Sequence, residues 1–305
     1  MKTIFIAIAA YNEPHLKMMI DNCLENAEYP ERISFGIWYH YNDMDPVDFS
    51  GYKNIRITYI NYEYPLGVGI ARLGANTLYE NEDYYLQVDG HMLFQHHWDS
   101  KLLSHYDRIK EKYDKPIIST YTRWWSFSNG NVNFYSNQDS NNSGVMAIDY
   151  ENSIREKYVK PKNIQTDWTN KDYIEHHFIS AHFLFADKMF MSEIMSDPLI
   201  LFGGEEVTTA VRAWTRGYRI FTISNPIAWH LNKWDGDMFE KDFRKISPDK
   251  PKIGQFYNKE NAGKQRAKDI LLGNITGYWG AKDIDSLREY EIASGINFQD
   301  FYNSI

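Results

Sequence analysis

The sequence predicts an α/β protein in which a Rossmann-like, mainly parallel sheet is flanked by helices and followed by a helical extension. Two observations support this prediction. Short apolar runs alternate with amphipathic segments through about residue 234, and charged helical patterns predominate from about residue 235 onward. A length of 305 residues is enough for one large α/β domain with such an extension. We therefore expect a main domain over residues 1–234 and a helical C-terminal extension over residues 235–305 that packs on it.

The first half of the chain alternates predicted strands with predicted helices. Apolar runs predict strands over 3–10, 33–39, 55–60, 84–88 and 116–120, and amphipathic segments predict helices over 14–28, 68–79 and 98–113. Strands joined in this way form parallel sheets with right-handed crossovers, and ligands bind beyond the carboxyl ends of the strands. We therefore expect residues 9–12, 41–45 and 89–91 to lie at the ligand-binding edge.

The second half of the chain is less regular. Residues 126–144 are polar and lack periodicity, which predicts a long loop of the kind that is usually functional or mobile. Strands are expected over 178–186 and 218–223, a helix over 207–216 after a glycine-containing turn, and a short extended segment over 227–230.

Composition narrows the functional classes. A net charge of −8 argues against a surface built mainly for nucleic acid. The apolar start of the chain lacks a basic region and a clear cleavage site, so a first buried strand explains it better than a signal peptide. No apolar run is long enough to span a bilayer, and we expect no membrane partner. The single cysteine, Cys23, cannot form an intramolecular disulfide, which fits a reducing, cytoplasmic compartment.

The most informative motif is Asp89-Gly90-His91, which follows the predicted buried strand 84–88. Side chains two residues apart in a strand point to the same side, so Asp89 and His91 can converge on one divalent cation. His230 ends a second extended segment and is the candidate third ligand. Without a cation, these residues would be a strand-end cap and two loop or surface histidines.

Three further residues are candidates for ligand contacts. Glu205 and Glu206 follow two glycines at a predicted helix start, where one carboxylate could contact a hydroxyl group of a ligand. The alternative is that they complement the helix dipole. Arg72 lies in the helix that follows Gly67-Val68-Gly69, where it could contact a ligand or be a solvated helix residue.

The densest aromatic patch is the segment 121–127, Tyr-Thr-Arg-Trp-Trp-Ser-Phe. It follows a predicted strand, and its rings could form a stacking platform for an acceptor. Packing in the core beneath the long loop explains the same pattern equally well, and the sequence leaves both interpretations open.

Several segments taken in order resemble glycosyltransferase family 60, N-acetylglucosaminyltransferases that modify a protein hydroxyproline. The segments are Ile6-Ala7-Ile8-Ala9-Ala10-Tyr11, Tyr84 to Met92, Ile179 to Ala186, Phe202 to Glu206, Arg212 to Tyr218, Trp229-His230 and Tyr278 to Ile296. The chain departs from the family pattern at Thr122, where proline is expected, and at His182, where small residues are expected. Fold and metal chemistry therefore carry over better than the identity of the sugar or acceptor.

The resemblance implies a GT-A fold, a divalent cation such as Mn²⁺ or Mg²⁺, and retaining transfer of GlcNAc from UDP-GlcNAc. It implies Asp89, His91 and His230 as metal ligands. We further expect Ala10, Tyr11, Arg72 and Asp89 to hold the nucleotide, and Glu205 and Glu206 to act in catalysis.

The implied acceptor is a hydroxyl group on a protein or a glycan. A hydroxymethylated DNA base of a bacteriophage is the alternative acceptor. Two further hypotheses are a non-catalytic sugar-binding module of the same fold and a metallohydrolase that uses the histidines.

Overall fold

The computed structural model describes residues 1–41, 47–61, 66–128, 131–134, 143–234 and 250–305. Its strands are β1 (Ile4–Tyr11), β2 (Ile33–Tyr41), β3 (Ile55–Asn61), β4 (Tyr84–Val88), β5 (Met92–Phe94), β6 (Pro116–Ser119), β7 (Arg123–Ser128), β8 (Asn131–Phe134), β9 (Val145–Ile148), β10 (Pro161–Ile164), β11 (Tyr173–His176), β12 (Phe183–Asp187), β13 (Arg219–Ile223) and β14 (Ala228–Trp234). Its α-helices are α1 (Leu16–Glu25), α2 (Val68–Asn76), α3 (Trp98–Lys110), α4 (Tyr150–Glu156), α5 (Met189–Glu193), α6 (Glu205–Trp214), α7 (Lys250–Leu271), α8 (Ile284–Ser294) and α9 (Phe298–Asn303).

An eight-stranded sheet in the order β11-β13-β6-β12-β4-β1-β2-β3 forms the centre of the molecule. The pairs β1–β2, β1–β4, β2–β3 and β6–β13 are parallel, whereas β12 and β11 run antiparallel to their neighbours. This confirms the predicted α/β class with its mainly parallel sheet. β12 is the reversed strand between the two parallel parts, and it brings residues 180–182 to the same edge as the end of β4.

The turn between β1 and α1 differs from the prediction. The sequence predicts a helix from residue 14, but α1 begins at Leu16 and Asn12, just before it, has a φ of +43°. The Asn12 N–H donates to the His40 carbonyl at 2.9 Å, which extends the β1–β2 ladder by one bond. The chain then turns sharply, and Glu13 lies at the carboxyl edge of the sheet instead of inside a helix.

A second, four-stranded sheet in the order β5-β14-β7-β8 stands beside this edge. Its presence corrects the predicted loop over residues 126–144, because residues 126–128 belong to β7 and residues 131–134 form β8. All four residues of β8 are exposed, so this edge strand lacks the alternation of buried and exposed residues that would mark it as a strand. Residues 129–130 and 135–142 of that prediction, and residues 42–45 of the predicted ligand edge, lie outside the described residues.

The carboxyl-terminal helices pack on the rest of the chain through a shared apolar cluster. Leu287, Tyr290 and Phe298 join Phe178 and Val207 in it. The Tyr290 hydroxyl also donates to the His177 carbonyl at 2.6 Å. Residues 235–249 of the predicted extension lie outside the described residues, and the division at residue 234 stays a prediction. In the part of the chain that the structure describes, no helix is long and apolar enough to cross a membrane.

Candidate active site

The two sheets bring Asp89, His91 and His230 together. Asp89 and His91 follow β4 directly, whereas His230 lies in β14 of the smaller sheet. The three candidate ligand atoms lie within 4.8 Å of one another. The His230 Nε2 atom is 3.0 Å from His91 Nε2 and 3.2 Å from Asp89 Oδ2. The sequence therefore identified residues that meet in space although 139 positions separate the two histidines.

Glu13 orients one of these histidines, and sequence analysis gave it no role. Its Oε2 atom is 2.6 Å from His91 Nδ1, so His91 donates through Nδ1 and directs the Nε2 lone pair toward His230 and Asp89. Burial opposes protonation of His91, but the hydrogen bond and charge of Glu13, with the charge of Asp89, raise its pKa. Gly90 makes room for this contact, since a Cβ atom there would lie 2.9 Å from Glu13 Cγ.

Arg72 connects the ligand cluster to the start of α6. Its guanidinium nitrogens lie 4.0 Å from Asp89 Oδ1 and 3.9 Å from Glu205 Oε1. Burial opposes ionisation of Asp89, yet the hydrogen bond with His230 and the nearby charges of His91 and Arg72 lower its pKa. Asp89 is therefore a carboxylate at neutral pH, as a metal ligand must be.

The two glutamates at the start of α6 have different surroundings. Glu206 Oε1 accepts a hydrogen bond from the Ala181 N–H at 2.8 Å. Burial and the neighbouring charge of Glu205 raise the pKa of Glu206 to about 7. Glu205 faces Arg72, and its buried Oε2 atom has no hydrogen-bond partner among the described residues. The two neighbouring carboxyl groups thus differ in their hydrogen-bond partners, which suits different tasks.

A cavity opens beside these groups. Arg72, Ala181, Glu205 and Glu206 line it, together with the buried amide of Gln87 and several apolar side chains. A few polar groups that converge in a partly apolar pocket are typical of a small-molecule site.

The predicted nucleotide contacts lie at the end of β1. Ala10 is 4% exposed and its side chain belongs to the core, which leaves its backbone as the group that a ligand can reach. Tyr11 is half-buried, and its ring meets the His40 ring edge-on at a centroid distance of 4.9 Å.

The structure separates the two tryptophans of the aromatic patch. Trp125 is fully buried and its Nε1–H donates to the His91 carbonyl at 3.1 Å, so the core interpretation holds for this residue. Trp124 is half-buried beside Tyr121, at a ring-centroid distance of 6.3 Å. Alternation along β7 explains the difference, because neighbouring side chains point to opposite faces.

Comparison with known proteins agrees with this architecture. Residues 47–294 match the family model described as Glycosyltransferase (GlcNAc). No curated protein matches the sequence. A crystal structure of GalNAc-T7 with UDP, GalNAc and Mn²⁺ superimposes with a TM-score of 0.59 at 12% identity, over 99% of this chain and 57% of that chain.

A crystal structure of S. aureus TarS residues 1–349 in complex with UDP-GlcNAc aligns with a TM-score of 0.47 at 12% identity, over 99% of this chain and 80% of that chain. The present chain thus spans little more than half of the GalNAc-T7 structure, and at this identity the likeness shows a shared GT-A fold alone. The family model, in contrast, covers most of the chain. The chain therefore belongs to the GlcNAc glycosyltransferase family.

Proposed function

We propose that the protein transfers GlcNAc from UDP-GlcNAc to a hydroxyl group on a protein or glycan, with Mn²⁺ or Mg²⁺ held by Asp89, His91 and His230. The convergence of these three side chains from two sheets is the observation that supports this function most directly. The GalNAc-T7 structure, which contains UDP, GalNAc and Mn²⁺, supports the general combination of a uridine nucleotide, an N-acetylated sugar and a divalent cation, although its sugar is not GlcNAc.

The distances between the candidate ligands fit a divalent cation. A first-row ion about 2.1 Å from each of two ligands at a right angle leaves about 3 Å between the ligand atoms. The separations of 3.0 Å and 3.2 Å at His230 Nε2 are of this size. One carboxylate and two imidazoles, with one imidazole oriented by Glu13, suit manganese among other ions.

Each remaining residue of the site has a proposed task. A bound cation would offset the negative charge that grows on the leaving diphosphate. Arg72 offers a second positive charge beside Asp89 and attracts the same phosphates. The Ala10 backbone and the Tyr11 ring, at the carboxyl end of β1, hold the nucleoside.

The two carboxyl groups at the start of α6 have different proposed roles. The buried Oε2 atom of Glu205, which has no hydrogen-bond partner among the described residues, contacts a hydroxyl of the sugar or acceptor. Glu206 holds the segment around Ala181 in place. We further propose retention, in which the leaving phosphate takes the acceptor proton on the face that it departs from.

Four finer assignments belong to the same proposal. We propose that the chain belongs to glycosyltransferase family 60, which its segments resemble. The net charge of −8 favours a protein or glycan acceptor over duplex DNA, because many cations are needed to bind phosphates. The single, buried Cys23 accords with a cytoplasmic location, and we retain residues 1–234 as the catalytic domain.

Hydrolysis of UDP-GlcNAc by water tests this function without knowledge of the acceptor. We expect slow release of UDP with Mn²⁺ and its loss with EDTA. Asp89→Ala and His91→Ala should each lose at least ~100-fold in rate, whereas the exposed control Asp107→Ala should retain it. Unchanged hydrolysis by both site variants in EDTA would disprove metal dependence.

A further inference from the structure

His182 and Thr122 are joined by a hydrogen bond that no sequence motif predicts. The Thr122 N–H donates to His182 Nε2 at 3.1 Å, across 60 residues of sequence. The other ring nitrogen, Nδ1, lies 2.9 Å from Ser180 Oγ. Because Nε2 accepts, Nδ1 carries the proton and donates to the Ser180 hydroxyl. Both nitrogens are thereby engaged, so His182 does not add a fourth ligand to the cluster of Asp89, His91 and His230.

The imidazole ring of His182 lies between the cluster of candidate metal ligands and the cavity at the start of α6. Its centroid is 4.9 Å from that of His230, and the ring meets Tyr121 edge-on at 5.0 Å. The preceding residue, Ala181, lines the cavity and donates its N–H to Glu206. A sugar attached to a diphosphate at the ligand cluster must extend past this segment to reach Glu205 and Glu206.

We infer that His182, held by Thr122, is a specificity-determining residue that forms one wall of the donor-sugar site. This inference rests on the proposed function, since it needs a nucleotide-sugar beside His230. Two hydrogen bonds and an edge contact hold the half-buried imidazole in place, and both of its nitrogen atoms already have hydrogen-bond partners. Its effect is therefore steric: it disfavours sugars whose substituents need the space that the ring occupies.

A comparison of different donors tests whether His182 forms a wall of the sugar site. We expect His182→Ala to raise kcat/KM for poor donors relative to the best donor by about 10-fold, measured as hydrolysis of UDP-GlcNAc, UDP-GalNAc and UDP-glucose with Mn²⁺. His182→Gln, which keeps an acceptor and most of the volume, should stay closer to the native ratio. Melting curves without donor establish that each variant folds.

Substitutions at Thr122 test the hydrogen bond separately. Thr122→Pro removes the N–H, whereas the control Thr122→Val keeps the N–H and removes only the hydroxyl, which has no hydrogen-bond partner among the described residues. Proline should shift the donor ratio in the same direction as His182→Ala, and valine should leave it unchanged.

The outcomes distinguish this inference from the proposed function. If the native protein hydrolyses no nucleotide-sugar, the proposed function is wrong, and the inference about His182 is wrong as well. If it does hydrolyse them and His182→Ala lowers kcat/KM equally for all donors while weakening Mn²⁺ binding, His182 only supports His230. In that case the inference is wrong and the proposed function stands.

Discussion

A single carboxylate, Glu13, determines which nitrogen atom His91 presents to the site. The contact at 2.6 Å between Glu13 Oε2 and His91 Nδ1 selects one tautomer and one ring orientation. Glu13 follows β1, at the same edge as Asp89, so its position at a strand end was the signal that could have identified it. Because the sequence predicts a helix start here, no role in the site was predicted for Glu13.

Glu13→Gln should therefore weaken Mn²⁺ binding by about 10- to 100-fold while the fold persists. An amide can still accept from Nδ1, but it lacks the charge that favours this arrangement. Titration with Mn²⁺ followed by calorimetry measures the affinity, and Glu25→Gln, on an exposed position of α1, is the matched control. Equal affinities in all three proteins would show that Glu13 does not act on the metal site.

The protonation of Glu206 predicts a pH-dependent stability. Its pKa rises from the ordinary 4.5 to about 7, so the folded state binds this proton more tightly than the unfolded state. The resulting stabilisation is complete below about pH 4.5 and is lost as the pH rises through 7. Glu206→Gln resembles the protonated form at every pH. Its free energy of unfolding, relative to the native protein, should rise between pH 5 and pH 8 by up to about 3 kcal/mol.

Urea unfolding of the ligand-free proteins at both pH values measures this difference. Glu111→Gln, on an exposed residue at the end of α3, serves as the control and should show no such trend. A constant difference between Glu206→Gln and the native protein across this range would mean that Glu206 is ionised throughout.

At the scale of elements, the first turn of α2 positions Arg72 by close backbone packing. The Val68 and Gly69 N–H groups donate to the Leu201 and Ile200 carbonyls at 2.8 Å and 3.3 Å. A Cβ atom on Gly69 would lie 2.1 Å from the Asp197 carbonyl oxygen. The backbone at both sides would have to move, and Arg72 would move with it.

We expect Gly69→Ala to destabilise the protein by about 2 kcal/mol and to weaken binding of UDP. Gly51→Ala is the matched control, because nothing lies within 4 Å of a Cβ atom there. Melting temperature and UDP titration in the presence of Mn²⁺ give the two results. A Gly69→Ala variant with native values in both would show that α2 tolerates the displacement.

Strands buried on both faces were predictable, whereas the exposed strands and the reversed direction of β12 were not. β1 and β4 are almost wholly buried, so their apolar runs identify them. β8 is exposed throughout and β10 is the short segment Pro-Lys-Asn-Ile, exposed at alternate positions, so neither differs from a loop in composition. Asp89, His91 and His230 could be proposed because strand ends meet at one edge. The bond between Thr122 and His182 could not, since it depends on the reversed direction of β12.

At the scale of the whole molecule, the carboxyl-terminal helices complete the core and do not form a separate layer. Tyr290 of α8 is fully buried and bonds to the His177 carbonyl. Tyr290→Phe leaves that carbonyl unsatisfied and should lower the free energy of unfolding by about 1–2 kcal/mol in a single transition. The exposed Tyr278 also donates to a carbonyl, that of Ser192, and Tyr278→Phe should cost less. Two separate transitions in urea would contradict this shared core.

The link that Arg72 makes between Asp89 and Glu205 has a kinetic consequence. Asp89 and Glu205 flank Arg72, and Glu13 contacts His91, so acidic side chains outnumber the arginine in this site and repel an anionic donor. A divalent cation held by Asp89, His91 and His230, as proposed, would reverse that balance before a diphosphate binds. The catalytic cycle should therefore follow a compulsory order in which the cation enters before or together with the nucleotide-sugar.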